Sequence, residues 1–368
     1  MSLKVAHIAD CHLRQRQYGY PQRGEDFLNG IKSAINKAHE CGCKYIIAAG
    51  DLLDSTNPGA AVCIDQLDSI QLLLKELNLC MLITSGNHDK TSPHWCSRFN
   101  KFFKDEEGGM KVIDNEFYTL KQDEVEVVAY GLPFLPDSEF REVLPDLPEA
   151  DILIWHAAIK EFTGYPTENA ITCKELDCGK WKLVMMGDQH IHKVLVEGDT
   201  TIAYPGSTEL CSSSEDFEKE LLVYEFQKDK SFTICSKAFK TRKKQLFIVK
   251  TEEELDEAVA NFDPTAVIFI KYCKDIPMAS FKITNGIKPT NILRAIPFSN
   301  SKTSDAKLTV DELKDPVSFL RDTLQIIVKD KDRAQRIENV CVAALTPDLD
   351  FAKELEVFIE GELNKVVI

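Results

Sequence analysis

The chain has no run of eighteen consecutive apolar residues, so no segment reads as a bilayer-spanning helix. It has no Cys-x-x-Cys pair. Its twelve cysteines are scattered singly, apart from Cys41 and Cys43. That spacing excludes the common zinc frameworks and leaves most of the thiols as small apolar fillers. The first residues lack the long apolar stretch and cleavage site of a secretory signal and read at once as a β-strand, so a cytoplasmic location is expected, in a bacterial cell or a phage-infected host. Positive charge is also scarce: 44 Lys and Arg stand against 59 Asp and Glu, a net charge of −15. This excludes a protein that holds nucleic acid by bulk electrostatics alone. The one basic run, Lys240, Arg242, Lys243 and Lys244, reads first as a solvated linker. With divalent ions nearby it would also suit a phosphate-binding stripe.

What is present is a 368-residue chain with 44% hydrophobic and 28% charged residues, the composition of a globular protein and the length of two domains with a third small module. In the first half, apolar strand-like runs alternate with amphipathic stretches. Strands are expected at 3–9, 45–49, 81–84, 125–130, 152–155 and 183–186, with helices near 26–38 and 63–77. Such alternation gives a layered α/β domain with parallel strands. Two further short strands, 201–203 and 221–226, follow without intervening helices, and a second sheet stacked on the first accommodates them. After a hinge near residue 240, a strand, a helix and a strand at 246–250, 252–261 and 266–271 form a compact β-α-β unit. The stretch 297–304 is polar and reads as a linker, and residues from Val310 onward read as helical. There is no internal repeat.

Five short clusters carry the chemistry, each at or just after the end of an expected strand. They are Asp10-Cys-His12, Gly50-Asp51-Leu-Leu-Asp54, Gly86-Asn87-His88-Asp89, the single His156, and Gln189-His190-Ile-His192. Ligands bind at the carboxyl ends of strands in α/β sheets, so five such ends are expected to converge on one place. Residues i and i+2 of an extended turn face the same way, which lets each Asp-x-His or His-x-His pair supply two groups. Imidazole, carboxylate and amide oxygen without thiolate suit manganese, iron or zinc, and a carboxylate such as Asp51 is able to bridge two ions about 3.5–4 Å apart. Any one cluster alone has a bland explanation: Gly-Asp after a strand is often a helix cap, and a lone buried His is usually a satisfied core residue. Five of the eight histidines in these clusters, in this order, do not. His7, His39 and His94 keep the bland reading.

The set D-x-H, G-D-x-x-D, G-N-H-D, lone His and H-x-H resembles the signature of the calcineurin-like metallophosphoesterases. Within that superfamily it is similar to SbcD, the bacterial and phage relative of the nuclease called meiotic recombination eleven. GNHD stands where protein phosphatases carry GNHE, no Arg-Gly follows GDLLD, and Tyr204-Pro-Gly-Ser-Thr208 resembles the YPGS element that follows the H-x-H pair. The match covers residues 10–208. One departure is visible: a Gly usually precedes the first His of the pair, whereas here Gln189 does, with Gly187-Asp188 just before it.

The resemblance implies a four-layer α/β/β/α sandwich over residues 1–240, a small α/β capping domain that selects DNA over 245–300, and a helical segment over 305–368 that docks a coiled-coil ATPase of the SbcC kind. It implies two divalent ions, manganese first among them, with magnesium, iron or zinc as alternatives. One ion would be held by Asp10, His12, Asp51 and His192, the other by Asp51, Asn87, His156 and His190. His88 would act on the transition state or the leaving oxygen, with Asp89 orienting its ring. The activity implied is a DNA exonuclease and endonuclease acting at DNA ends in repair, recombination or replication, as a homodimer with its ATPase and without membrane attachment. A small-substrate phosphoesterase would use the same metal site. A non-catalytic scaffold would be expected to have lost ligands, and none is lost here. The absence of a long basic tail suggests a bacterial or phage protein.

Overall fold

The computed structural model describes residues 2–59, 62–90, 95–162, 170–215, 218–273 and 292–298. The chain divides at residue 299, and the second unit, 300–368, lies outside these residues. So do His94 and the helices expected after Val310.

In chain order the elements are β1 (Leu3–Ile8), α1 (Gln22–Glu40), β2 (Tyr45–Ala49), α2 (Leu67–Glu76), β3 (Cys80–Thr84), β4 (Gly109–Val112), β5 (Glu116–Gln122) and β6 (Val125–Leu132). Then come α3 (Asp137–Val143), β7 (Ile152–His156), α4 (Cys173–Leu176), β8 (Leu183–Gly187), β9 (Lys193–Glu197), β10 (Thr200–Tyr204), β11 (Glu220–Phe226) and β12 (Phe232–Ala238). After them follow β13 (Lys244–Val249), α5 (Glu252–Ala260), β14 (Val267–Cys273) and β15 (Ile292–Phe298).

Two six-stranded sheets, β12-β11-β1-β2-β3-β4 and β5-β6-β7-β8-β10-β9, stack face to face. Alternation along each strand explains the layers. Leu3 and Val5 of β1 point into a core shared with Tyr45, Ile47, Leu82, Val127, Ile154 and Met185, while Ala6 and Ile8 pack under α1 and α2 with Ile31, Ile35, Ile70 and Leu74. The outer face of the second sheet carries Trp155, Val184 and Ile202 against Phe140 of α3 and Leu176 of α4. The Phe140 and Trp155 rings stack with centroids 4.0 Å apart. Each fully buried aliphatic side chain contributes about 1.5–3 kcal/mol, so both faces of both sheets hold the four-layer α/β/β/α sandwich together.

All six first-half strands and both helices expected from the pattern are present. The strands missed are mostly antiparallel partners. Residues Glu116–Gln122 and Phe232–Ala238 are exposed or half-buried at every position but Leu120, so the apolar face of each strand is too thin to stand out. Two residues read as linker, Pro297 and Phe298, belong instead to β15. Strand β15 is an edge of the three-stranded parallel sheet β13-β14-β15, where a proline's missing N–H is tolerated.

That small sheet packs on α5 through Val249, Leu255, Ile268 and Ile270. Its other face meets the loops of the sandwich, with Val267, Phe269 and Ile292 against Leu210, Tyr18 and Tyr20. Beside this contact lies a buried charge network. Arg23, fully inaccessible, donates to Asp26 at 2.9 Å, Glu209 at 3.2 Å, the Leu210 carbonyl at 2.6 Å and Gln17 at 3.0 Å. Arg242 reaches Asp26 from the hinge at 2.7 Å. Removing one member strands the others in a place without water. Arg23→Ala is therefore expected to lower stability by about 3–5 kcal/mol, read from urea unfolding. A loss below about 1 kcal/mol, the range of exposed ion pairs, would mean the network is incidental.

Candidate metal centre

Strands β1, β2 and β3 of one sheet and β7 and β8 of the other end at the same edge of the sandwich. Each end releases one cluster: Asp10 and His12 after β1, Asp51 after β2, Asn87 and His88 after β3, His156 as the last residue of β7, and Asp188 and His190 after β8. Asp10, His12 and Asp51 adopt positive φ angles of 51°, 48° and 50°, and Asp188 one of 93°, a region few non-glycine residues enter. Backbone bonds from Asp10 N to Gly50 O at 3.2 Å and from His12 N to Asp51 O at 2.9 Å hold the first two loops against each other. At Gly50, φ is +83° and a Cβ would run into the His156 ring, so only glycine fits there.

The side chains converge. His156 Nδ1 donates to the Ala49 carbonyl at 2.9 Å, which turns Nε2 toward Asn87 Oδ1 at 3.2 Å and Asp51 Oδ2 at 3.4 Å. His190 Nδ1 is held by Glu215 Oε1 at 3.1 Å, which turns its Nε2 to within 3.1 Å of His12 Nε2. His12 Nδ1 is buried without a hydrogen-bond partner. Asp10, His12 and Asp51 place one donor atom each within 4.8 Å of one another, as do His12, His190 and Cys211.

Lone pairs facing lone pairs in a dry site repel unless a cation lies between them. Without a metal ion, protons fill that role. Burial opposes charge on His156, but Asp51 and Asp10 overcome it and raise its pKa to about 10. Burial also opposes charge on His190, which Cys211 and Glu215 push up to about 11. Glu215, despite burial, is held down to about 2 by His190 and Lys219. Burial lifts Asp10 to about 6 and drops His12 to about 3, which leaves the His12 ring neutral and able to coordinate. The residues present thus fit divalent cations: oxygen and imidazole donors at coordination spacing, with His156 oriented from behind by a carbonyl and His190 by a carboxylate.

Two of the expected site residues have their contacts elsewhere. His192 does not join the cluster. Its Nδ1 faces Glu220 Oε2 at 3.1 Å and Ser236 Oγ at 3.3 Å, and no hydrogen bond or ion pair links it to Asp10, His12 or Asp51 among the described residues. Asp89 does not orient His88. Its buried carboxylate accepts from the backbone N–H groups of Leu53 at 2.8 Å, Gly86 at 3.0 Å and Leu52 at 3.2 Å, tying two site loops together. The Asp54 carbonyl holds His88 instead, through Nδ1 at 2.6 Å, leaving Nε2 3.9 Å from Asp51 Oδ2 on a ring that is 41% exposed.

The sequence reading also missed the support behind His190. Ser207 of the Tyr204–Thr208 element bonds Glu215, as does Lys219, and the Ser207 N–H reaches the His190 carbonyl at 3.3 Å. No local spacing signals Glu215, since it lies 25 residues past the imidazole it orients. His7, given a bland reading, is buried in β1 and meets the Tyr224 hydroxyl at 3.3 Å. Of the basic run, Arg242 and Lys244 are engaged by Asp26 and by the Glu215 carbonyl. Lys240 and Lys243 are exposed.

Comparison with known proteins places this geometry. A family model described as calcineurin-like phosphoesterase matches residues 3–192, just over half of the chain. The DNA double-strand break repair protein Mre11 of Halobacterium salinarum is 31% identical over 254 residues, 65% of this chain and 61% of that protein. Its counterpart in Archaeoglobus fulgidus is 29% identical over 225 residues, 56% of this chain and 50% of that protein. The one from Methanocaldococcus jannaschii is 26% identical over 305 residues, 78% of each. The chain thus spans 61% and 50% of the length of the first two relatives.

At neutral pH, His156 and His190 carry protons that an entering cation must displace. Divalent-cation affinity is therefore expected to rise with pH by roughly tenfold per unit for each proton displaced. Calorimetric titration in two buffers of different ionisation heat checks this. Binding that releases no proton would mean these rings are not ligands.

Proposed function

Because the chain belongs to the calcineurin-like phosphoesterase family, whose members use divalent metal ions, we propose that it is a two-metal phosphodiesterase acting as a DNA exonuclease and endonuclease of the SbcD kind. The observation that carries the reading is the convergence of Asp10, His12, Asp51, Asn87, His156 and His190 on one sheet edge with His88 beside them. Its likeness to relatives named for double-strand break repair supports DNA as the substrate.

When bound, divalent ions supply Lewis acidity to a phosphodiester and acidify water; manganese is the ion proposed. The protein's own part is orientation and proton control. Asp51 lies between the two groups of donors. The Ala49 carbonyl and Glu215 present the His156 and His190 lone pairs. Exposed on the open side, His88 has its Nδ1 proton committed to Asp54, so its Nε2 is the atom that meets the scissile group, stabilising charge or passing a proton to the leaving oxygen.

Residues 1–240 are proposed as the nuclease domain and 245–300 as a cap that selects DNA. Residues 305–368 are proposed to dock a coiled-coil ATPase of the SbcC kind, in a homodimeric complex that works in repair, recombination or replication.

The purified chain, given manganese and a labelled linear duplex, is expected to degrade it, with Asp51→Ala inactive. His88→Ala is expected to keep its metal and lose hydrolysis by at least about a hundredfold. Cleavage of bis-p-nitrophenyl phosphate without DNA degradation, even after an SbcC-type ATPase and ATP are added, would favour a small-substrate phosphoesterase. Truncation near residue 305 is expected to abolish capture by the ATPase while hydrolysis of the small diester survives. Undiminished capture would refute the docking role.

A further inference from the structure

Resting on the two-metal reading, we infer that Asp188, rather than His192, completes the metal-binding set. Asp10, His12, Asp51 and His190 would surround one ion, and Asp51, Asn87, His156 and Asp188 the other. Strand β8 ends at Gly187, where a side chain would strike the Ala49 carbonyl and the His156 ring. The chain therefore passes directly against the site at this point, and the next residues, Asp188 and His190, are the i and i+2 pair that turns toward it.

The side chains separate into two groups. His190 stands on the His12 side, Nε2 to Nε2 at 3.1 Å. Asp188 stands on the His156 side, its Oδ1 3.8 Å from His156 Nε2, the atom that also faces Asn87 Oδ1 and Asp51 Oδ2. Donors about 2.1 Å from a shared ion lie about 3 Å apart when cis and about 4.2 Å apart when trans, and the separations of 3.2, 3.4 and 3.8 Å fall within that span.

Asp188 is also fixed in place. Gln189 Nε2 holds its other oxygen at 3.2 Å, and its own N–H donates to Asp10 Oδ1 at 3.0 Å. Like Asp10, His12 and Asp51 it has a positive φ. His192 meanwhile is taken by Glu220 and Ser236. The departure seen in the sequence resolves accordingly: Gly187-Asp188-Gln189-His190 is the Gly-ligand-x-ligand unit, with a carboxylate where the related pattern has its first imidazole.

The consequence is an asymmetric centre. The His156 half offers three oxygens and one nitrogen, a donor set that favours hard ions such as Mg²⁺ and Mn²⁺ over Zn²⁺. The His12 half offers two oxygens and two imidazole nitrogens, with Cys211 near them, and is the softer.

The test is Mn²⁺ titration of the full chain, followed by calorimetry and by the electron paramagnetic resonance signal of a spin-coupled ion pair. The wild-type protein should bind two ions. Asp188→Asn should lose one of them, or bind it at least about tenfold more weakly, and lose the coupled signal. His192→Ala should keep both ions and the signal. Asn, Asp and His all tolerate positive φ, so Asp188→Asn and Asp188→His should fold, as checked by thermal melting without metal. Asp188→His should bind two ions again, one of them with its preference moved toward Zn²⁺. The inference is overturned if His192→Ala loses an ion, or if Asp188→Asn binds two ions as tightly as the wild type. A wild-type chain that binds no divalent ion overturns the two-metal reading itself, and the Asp188 assignment with it.

Discussion

An excess of lone pairs over positive charge at one edge of the sandwich is the constraint on which the rest of the structure depends. Asp10, Asp51, Asn87, His12, His156 and His190 all turn potential donor atoms toward one space, with Asp10, His12, Asp51 and His156 buried and Asn87 and His190 half-buried. A fold assembled for stability alone would not gather such groups, because a buried acceptor without a donor costs free energy. The surrounding structure offsets this cost by holding several of these groups in place: the Ala49 carbonyl behind His156, Glu215 behind His190, and the backbone bonds that pin Asp10 and His12 in left-handed conformations. Strain of that kind persists only where neighbours impose it, and it concentrates at functional sites.

Much of this was legible in the sequence, for a definite reason. Each ligand cluster directly follows an apolar strand, so a local pattern fixes both the strand and the position of its ligand. Asp10, Asp51, Asn87 and His156 needed no tertiary information beyond the rule that strand ends share an edge. The four-layer architecture was readable because β1, β2, β3, β7 and β8 are buried on both faces and appear as continuous apolar runs. Strands β5 and β12 escaped because their exposed positions carry Glu, Lys, Thr and Ser with almost no buried residue opposite, and β9 because it is a short edge strand without a buried position. The partners of His88 and His190 were also hidden. Asp54 acts through its backbone carbonyl and Glu215 from far along the chain, and neither leaves a mark on spacing. His192 was expected as a donor for the opposite reason. A second His two residues on looks like a donor pair, whereas the end of β8 at Gly187 brings Asp188 and His190 next to the site.

The distribution of charge bears on how a polyanion would approach. The net charge is −15, and Arg242 and Lys244 of the single basic run are drawn inward by Asp26 and the Glu215 carbonyl. Those two cations hold the chain between β12 and β13 to the sandwich, which leaves Lys240 and Lys243 as the members of the run that face solvent. Phosphate attraction at the centre therefore has to come chiefly from bound divalent ions, which reverse the sign of the local field. A metal-free form would repel the substrate class that the family hydrolyses, so metal loading would govern binding as well as chemistry.

The geometry of the centre is finally a property of the core between the sheets. Donors come from three strand ends of one sheet and two of the other, so no single element can place them. What fixes the relation between Asp51 on one sheet and His156 on the other is the packing of Tyr45, Ile47 and Leu82 against Ile154 and Met185. Dense interiors of this sort transmit a change of one methylene rather than absorb it, and a catalytic constellation tolerates only a fraction of an ångström of error. The inter-sheet core therefore does more than stabilise: it sets the distance across which two cations would share Asp51.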